Sequence, residues 1–408
     1  MRVLYISYDG MTDPLGQSQV IPYLTELSKN GIEFHVLSAE KTAAYQAGKK
    51  SISSLLAKHN IHWHPVKYTK TPPVISTISD IRKIKHEAEK LHKHHHFELC
   101  HCRSYIAAFA GSLLKKRHGI PFLFDMRGFY PDERVDGKLW NRKNPVFNLV
   151  YLFFKQREKD FFRKADHVIS LTESGKETLC GWDHILLKDD DVTVIPCCAD
   201  TDHFNQACIK EEQIIKIRKD TGITPDDFVL SYLGSLGTWY MTDEMLDFYA
   251  VLLKHKPEAK FLIITKDDPA PLIKNARNKN IPVHQMVFRA AERTELPALI
   301  SLSTTSIFFI KPVFSKKASS PTKLAELLSM GVPVICNGNV GDIDRILEKH
   351  NAGLVIKDLN GANYKAAVDK MDELVKTKPE NLRQIAEELF SLKKASRLYY
   401  KVYNKLIQ

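Results

Sequence analysis

The sequence predicts an α/β protein made of two parallel-sheet domains. Three observations carry that expectation. Strand-like apolar runs alternate with amphipathic helical stretches throughout the chain. The series restarts near residue 228, after a segment at 200–222 that reads as a connection between domains. At 408 residues the chain also exceeds what one compact core holds. A βαβ series gives a parallel sheet covered by helices on both faces.

Taken in order, residues 2–8 read as the first strand. Residues 18–30 place Val20, Tyr23, Leu24 and Leu27 at helical spacing. Further strands are expected at 34–38, 98–101, 122–124, 167–171 and 192–196. In the second half, strand 228–233 leads to a helix carrying Met241, Met245, Phe248 and Leu252. Strands at 261–265, 286–288, 306–310, 332–336 and 354–355 follow. The tail, 381–408, is helical and aromatic-rich through Phe390, Tyr399, Tyr400 and Tyr403. The expected division is 1–200, 201–385, and a C-terminal helix, 386–408, packing back on the first domain. Ligands of such sheets bind at the carboxyl ends of the strands, so two domains facing each other leave a cleft there.

Composition narrows the class. The hydrophobic share of 44% and charged share of 26% are ordinary for a folded soluble protein. No long uncharged apolar run marks a membrane span, and the N-terminus enters a strand at once, unlike a signal peptide. The seven cysteines have neither zinc nor redox spacing, which suits reduced thiols in a cytoplasm. The net charge of +11 fits nucleic acid, an anionic membrane or phosphorylated ligands. No recognition-helix or RNA-binding signature accompanies that charge, so no nucleic-acid partner is expected. No Gly-x-Gly-x-x-Gly follows the first strand and no Gly-x-x-x-x-Gly-Lys-Ser/Thr is present, which argues against a nicotinamide enzyme and a P-loop ATPase.

The most informative stretch is 317–335. Ser320 reads as an N-cap with Pro321 at the first helical position, and Gly331 ends the helix before a strand. A helix start offers unpaired N–H groups and partial positive charge to a phosphate. Lys323 adds a full charge there, and Glu326, three residues on, shares its face. One turn thus presents phosphate donors and, deeper, a carboxylate able to grip a ribose diol.

Five stretches resemble family 4 glycosyltransferases of the GT-B fold: Gly16 with the following helix and Asn30-Gly31; 165–174; 194–200 with Phe204; Tyr232 to Tyr240; and the Ser-Ser-Pro-Thr-Lys segment at 319–323. The resemblance implies two Rossmann-like domains facing across a cleft and retaining, sugar-nucleotide-dependent transfer. Its donor set here comprises Glu326 on the ribose, with Ser319, Ser320, Thr322, Lys323, Gly234, Ser235, Gly237 and Lys311 toward the diphosphate. Gly16 joins the binding residues beside Asp9, on the acceptor side. The family's usual first Glu is replaced by Ala318, and its Arg and Lys after the first strand of the second domain are absent from 234–240. Lys311, Lys317 and Lys323 are the cations left to offset the diphosphate, with Arg289 after another strand end. A family His after the strand at 121–124 is also missing; Asp125 and Arg127, in a loop dense in charge, are taken as catalytic in its place, together with Lys323.

No metal site is expected. The histidines at 92, 94, 95, 96 and 101 lack ordered ligand spacing and read as a solvated helix end, and the resemblance implies no metal and no cofactor. The segment 144–162 carries Phe147, Leu149, Tyr151, Phe153, Phe154, Phe161 and Phe162. It reads either as core packing or as an apolar face dipping into a bilayer. The expected partners are a nucleoside-diphosphate sugar and a saccharide or lipid-linked saccharide, in a cytoplasmic protein that could sit on the inner face of the membrane during cell-surface polysaccharide synthesis. Two alternatives stay open: a nucleotide-sugar epimerase on the same fold, and a non-enzymatic basic binding protein.

Overall fold

A computed structural model describes residues 1–407. The chain forms two units. The first comprises Met1–Pro196, Lys317–Ser319 and the segment from Leu392, and the second comprises Cys197–Lys316 and Ser320–Ser391.

The first unit holds a seven-stranded parallel sheet in the order β3-β2-β1-β4-β5-β6-β7. Its strands are β1 Arg2–Ser7, β2 Glu33–Glu40, β3 Ile61–Lys67, β4 Leu99–Arg103, β5 Phe122–Asp125, β6 His167–Ser170 and β7 Val192–Val194. The second unit holds six parallel strands in the order β10-β9-β8-β11-β12-β13. These are β8 Val229–Leu233, β9 Lys260–Ile264, β10 Met286–Arg289, β11 Thr305–Phe308, β12 Val334–Asn337 and β13 Gly353–Ile356. The central strands are buried along their whole length, as helices on both faces require. In each sheet the order reverses beside the first strand, between β1 and β4 and between β8 and β11. A crevice opens at such a switch point, at the carboxyl ends of the strands.

Four elements differ from the sequence reading. The helix expected at 18–30 is two helices, Pro14–Gln19 and Ile21–Ser28, meeting at Val20 with φ −122° and ψ −64°. Pro22 explains the break, since it has no N–H and fits only a first turn. Strand β3 escaped notice because its Ile-His-Trp-His-Pro-Val-Lys sequence is polar and contains Pro65. It is an edge strand, the one place where proline costs little.

The segment 200–222 is no linker. Phe204 is fully buried, and the helix Glu211–Thr221 adds Ile217 to the core of the second unit. Arg383 pins this segment by donating to the carbonyls of Thr201 and Phe204 at 2.9 Å each. Finally, the tail is two helices, Pro379–Phe390 and Leu392–Ile407, separated at an extended Ser391. The first belongs to the second unit and the second to the first unit.

Candidate active site

In the second unit the switch point is built around one lysine. Strand β8 ends at Leu233, and Gly234 turns the chain with φ +132°, a conformation that favours glycine. The turn brings the Gly234 backbone so close to Lys323 that a Cβ there would lie 2.7 Å from Nζ. Lys323 lies in the first turn of the helix Thr322–Ser329. Its ammonium faces the rings of Tyr240 at 3.7 Å, Tyr232 at 4.5 Å and Phe308 at 5.6 Å from their centroids. Ring faces attract a cation but replace its hydration poorly. Burial therefore lowers the Lys323 pKa to about 7, with Glu326 pulling it back upward.

Glu326 is buried one turn along the same helix. Burial pushes its carboxyl up, opposed by Arg293 and Lys323. The helix cap is Pro321, whose side chain can accept no hydrogen bond, so the first-turn N–H groups are not capped by it. This corrects the sequence reading of Ser320 as N-cap: the Ser320 hydroxyl accepts instead from the Cys197 N–H at 3.2 Å. Ser320 and Thr322 remain partly exposed around the helix start.

The loop after β8 is held at several points. The Tyr232 hydroxyl donates to the Ser235 carbonyl, and the Leu236 N–H donates to Asp267 at 2.7 Å. Lys311 reaches the Thr238 carbonyl at 2.6 Å, so it clasps the loop while a neutral partner leaves its charge in place. Lys316 lies 3.7 Å from the centroid of the Trp239 ring. Ser235 and Gly237 are exposed at the loop tip. Arg289 is drawn away by an ion pair with Asp220 at 3.4 Å, which removes it from the cations expected near the diphosphate.

In the first unit the corresponding strand ends carry a buried charge cluster. Asp125 closes β5 and is 1% exposed. Its Oδ2 accepts from the Tyr399 hydroxyl at 3.0 Å and lies 3.5 Å from His101 Nε2 and 3.7 Å from the Arg127 guanidinium. Burial alone would raise the Asp125 pKa, but Arg127, His101 and Arg103 overcome it and hold the carboxyl at about 2. Arg103, at the end of β4, donates to Asp9 at 3.3 Å. Arg127 adopts φ +58°, a strained position for a side chain of that size. The observed role of this buried, paired carboxylate is to hold Arg127 at the end of β5.

Gly16 lies in the helix Pro14–Gln19, and a Cβ there would stand 2.1 Å from the Gly10 carbonyl oxygen. Its observed role is close packing of that helix on the loop after β1. Lys317, Ala318 and Ser319 group with the first unit. The Thr172 hydroxyl donates to the Lys317 carbonyl at 2.6 Å, and a Cβ at Gly175 would sit 3.1 Å from that of Ala318. The small residue at 318 thus fits a tight contact with the start of the helix Glu173–Cys180.

Residues 17–203 match the Glycosyltransferase Family 4 profile, and residues 213–389 match that of the Glycosyl transferases group 1. This chain belongs to the family 4 glycosyltransferases. An uncharacterized glycosyltransferase of Methanocaldococcus jannaschii is 22% identical over 264 residues, 64% of this chain and 63% of that protein. The match thus spans less than two thirds of that relative's length. A glycosyltransferase from Rickettsia africae superimposes with a TM-score of 0.71 at 16% identity, covering 100% of this chain and 98% of the other. Anabaena HepE in complex with UDP gives 0.70 at 13% identity, covering 99% and 100%. The glycosyltransferase therefore has the GT-B fold, with two Rossmann-like domains.

Sequence reasoning about this glycosyltransferase missed the residues that come from afar. Tyr232, Tyr240 and Phe308 surround Lys323, the charge of Arg293 acts on Glu326, and Tyr399 of the C-terminal helix reaches Asp125. The aromatic residues flanking the 234–240 loop were the one visible signal.

The Lys323 amine sets a pH dependence. With a pKa near 7 it is charged below neutrality and neutral above, and a diphosphate favours the charged form. Affinity for a nucleoside diphosphate such as UDP should therefore fall as pH rises from about 7 to 9, by up to about tenfold per unit. In Lys323→Met the slope should disappear, while affinity for the bare nucleoside changes little. Calorimetric titrations at several pH values check this; equal slopes in both proteins would refute it.

Proposed function

We propose that this glycosyltransferase retains anomeric configuration while moving a hexosyl group from a nucleoside-diphosphate sugar to a hydroxyl of a saccharide or lipid-linked saccharide. The observation that carries the reading is the pairing, on one helix, of the caged Lys323 ammonium with buried Glu326 beside the Gly234 turn. Lys323 and the open helix start meet the charge that grows on the departing diphosphate, while Glu326 accepts from the ribose hydroxyls. Such preorganised electrostatics is usually the largest catalytic term. The bond between the anomeric carbon and the diphosphate oxygen breaks as a bond to the acceptor oxygen forms on the same face. The acceptor proton passes to the departing phosphate oxygen, so no protein nucleophile and no metal ion is required. Arg127, fixed by Asp125, supplies a guanidinium to hold oxygens of the acceptor.

The likeness to HepE, which was crystallised with UDP, supports a nucleoside diphosphate as ligand. A thermal-shift screen over UDP-, GDP-, ADP- and dTDP-sugars identifies the donor, since a ligand bound only to the folded state raises the melting temperature. With that donor, Glu326→Ala should weaken binding about 10- to 100-fold, the worth of a charged buried hydrogen bond. Unchanged affinity would remove Glu326 from the site. Arg127→Lys should lower turnover at least about tenfold, or about 1.4 kcal/mol of barrier, with donor affinity nearly unchanged. Wild-type transfer by that variant would return the loop to a structural role.

A lipid-linked acceptor also accounts for one face of the first unit. The helix Pro145–Lys164 buries Phe154, Phe161 and Phe162, whereas Val146, Leu149, Leu152 and Phe153 are exposed. Ile75 and Ile78 are exposed as well, and Ile78 lines one apolar groove with Leu149 and Phe153. Lys138, Arg142 and Lys143 stand exposed just before the helix. The core-packing reading of this segment holds for its buried face, and the exposed apolar face is what supports the bilayer reading. Among the described residues no helix is long and apolar enough to cross a membrane. The arrangement suits a peripheral contact in which apolar side chains enter an anionic leaflet and basic ones stay at its surface. Vesicles containing phosphatidylglycerol should retain the protein, and Leu149→Glu with Phe153→Glu should weaken retention at least about tenfold. Equal retention of both proteins would exclude this face.

A further inference from the structure

Parallel strands in register place alternate side chains on a common face. Strands β2 and β3 pair His35 with His62, so Glu33 and His35 of β2 share a face with His62 and His64 of β3. The end of the helix Ile75–His95 covers that face and brings His95 to within 4.1 Å of His35, centroid to centroid. The histidines read from sequence as one solvated helix end are therefore dispersed. His101 joins Asp125, His92 packs against His118, and His95 joins His35, with Phe97 packed beside them.

We propose that Glu33 Oε1, His35 Nε2 and His62 Nε2 form a binding site for a divalent transition metal of the zinc class. One ligand atom from each of the three residues lies within 4.8 Å of the others. Two edges of the triangle are 3.1 Å (Glu33 to His35) and 3.8 Å (Glu33 to His62). A tetrahedral zinc with ligands at about 2.0–2.1 Å needs edges of about 3.3–3.4 Å, midway between those values. Imidazole with carboxylate is a donor set that suits zinc, nickel or copper and is unlike the all-oxygen shells of magnesium and calcium.

The surroundings orient these ligands as a metal site requires. His35 Nδ1 lies 3.0 Å from His64 Nε2. A proton donated along that line leaves the His35 Nε2 lone pair free for a metal, the usual arrangement around a ligating histidine. Arg2 donates to the other Glu33 oxygen at 3.1 Å, which turns Oε1 toward the two rings. His35 is buried and His62 half exposed, so a fourth position remains open to water on the solvent side. The site lies at the amino-terminal ends of β2 and β3, whereas the catalytic residues proposed above lie at carboxyl-terminal strand ends. Its effect is structural: a bound ion would fasten edge strand β3 to β2.

The test uses untagged full-length protein. Competition against a chromophoric chelator should give one Zn2+ per chain with submicromolar affinity, and Co2+ should show the visible bands of a four-coordinate site. Saturating Zn2+ should raise the melting temperature by at least about 3 °C. His62→Ala and Glu33→Gln, both at accessible positions, should each weaken Zn2+ binding at least about tenfold and abolish the Co2+ bands. His94→Ala, outside the triangle, should bind like the wild type. The inference fails if wild-type protein binds Zn2+ no tighter than about 100 μM. It fails equally if both ligand variants keep wild-type affinity and spectrum.

Discussion

The second unit is organised by the need to keep one ammonium group in a nearly water-free position. Lys323 has three aromatic rings around its Nζ and the Gly234 backbone beside it. That requirement fixes much else. Gly234 must turn with positive φ, because a side chain in that conformation would be strained. Tyr240 must return toward Phe308, which the bridge between Tyr240 and Ile310 and the bond from Met241 N–H to the Phe309 carbonyl secure. The lowered pKa is the cost of the arrangement in the absence of an anion. A diphosphate would restore the charge, so binding and protonation become coupled. A solvated lysine at the same position would offer less to a transition state, because water would already satisfy it.

The first unit handles charge by the opposite means. Asp125 is surrounded by donors and remains ionised despite burial. It anchors Arg127 in a strained backbone position at the end of β5. Tyr399 completes this anchor from the C-terminal helix, and Tyr403 donates to or accepts from His101 at 2.6 Å beside it. The last helix of the chain is therefore part of the support for the strand ends, in addition to covering apolar surface. Strain held by such a paired, desolvated cluster is a common property of sites where a side chain must be aimed.

The departures from the family pattern have physical counterparts. The 234–240 loop lacks those cations, but its first residue, Gly234, lies against the Lys323 ammonium of the helix Thr322–Ser329. The small residue at 318 is fully buried beside Gly175, where a Cβ added to the glycine would come within 3.1 Å of it. The missing histidine after β5 has no direct substitute, but His101 from the neighbouring strand stands 3.5 Å from Asp125.

The sequence by itself determined every strand along the chain except β3, the two-unit organisation and the side-by-side placement of Lys323 and Glu326. Each depends on short-range periodicity or on helix geometry, which a few consecutive residues specify. It misread the split at Pro22, edge strand β3 and the 200–222 segment, where proline, polar composition or weak periodicity hid the local signal. Only the tertiary structure decided what surrounds each functional group. Tyr232 lies 91 residues from Lys323, and Tyr399 lies 274 residues from Asp125. Periodicity reports that a face is buried but carries no information about which distant side chain covers it. The pKa of a lysine and the aim of an arginine depend on that covering, and so emerge only when the sheets assemble.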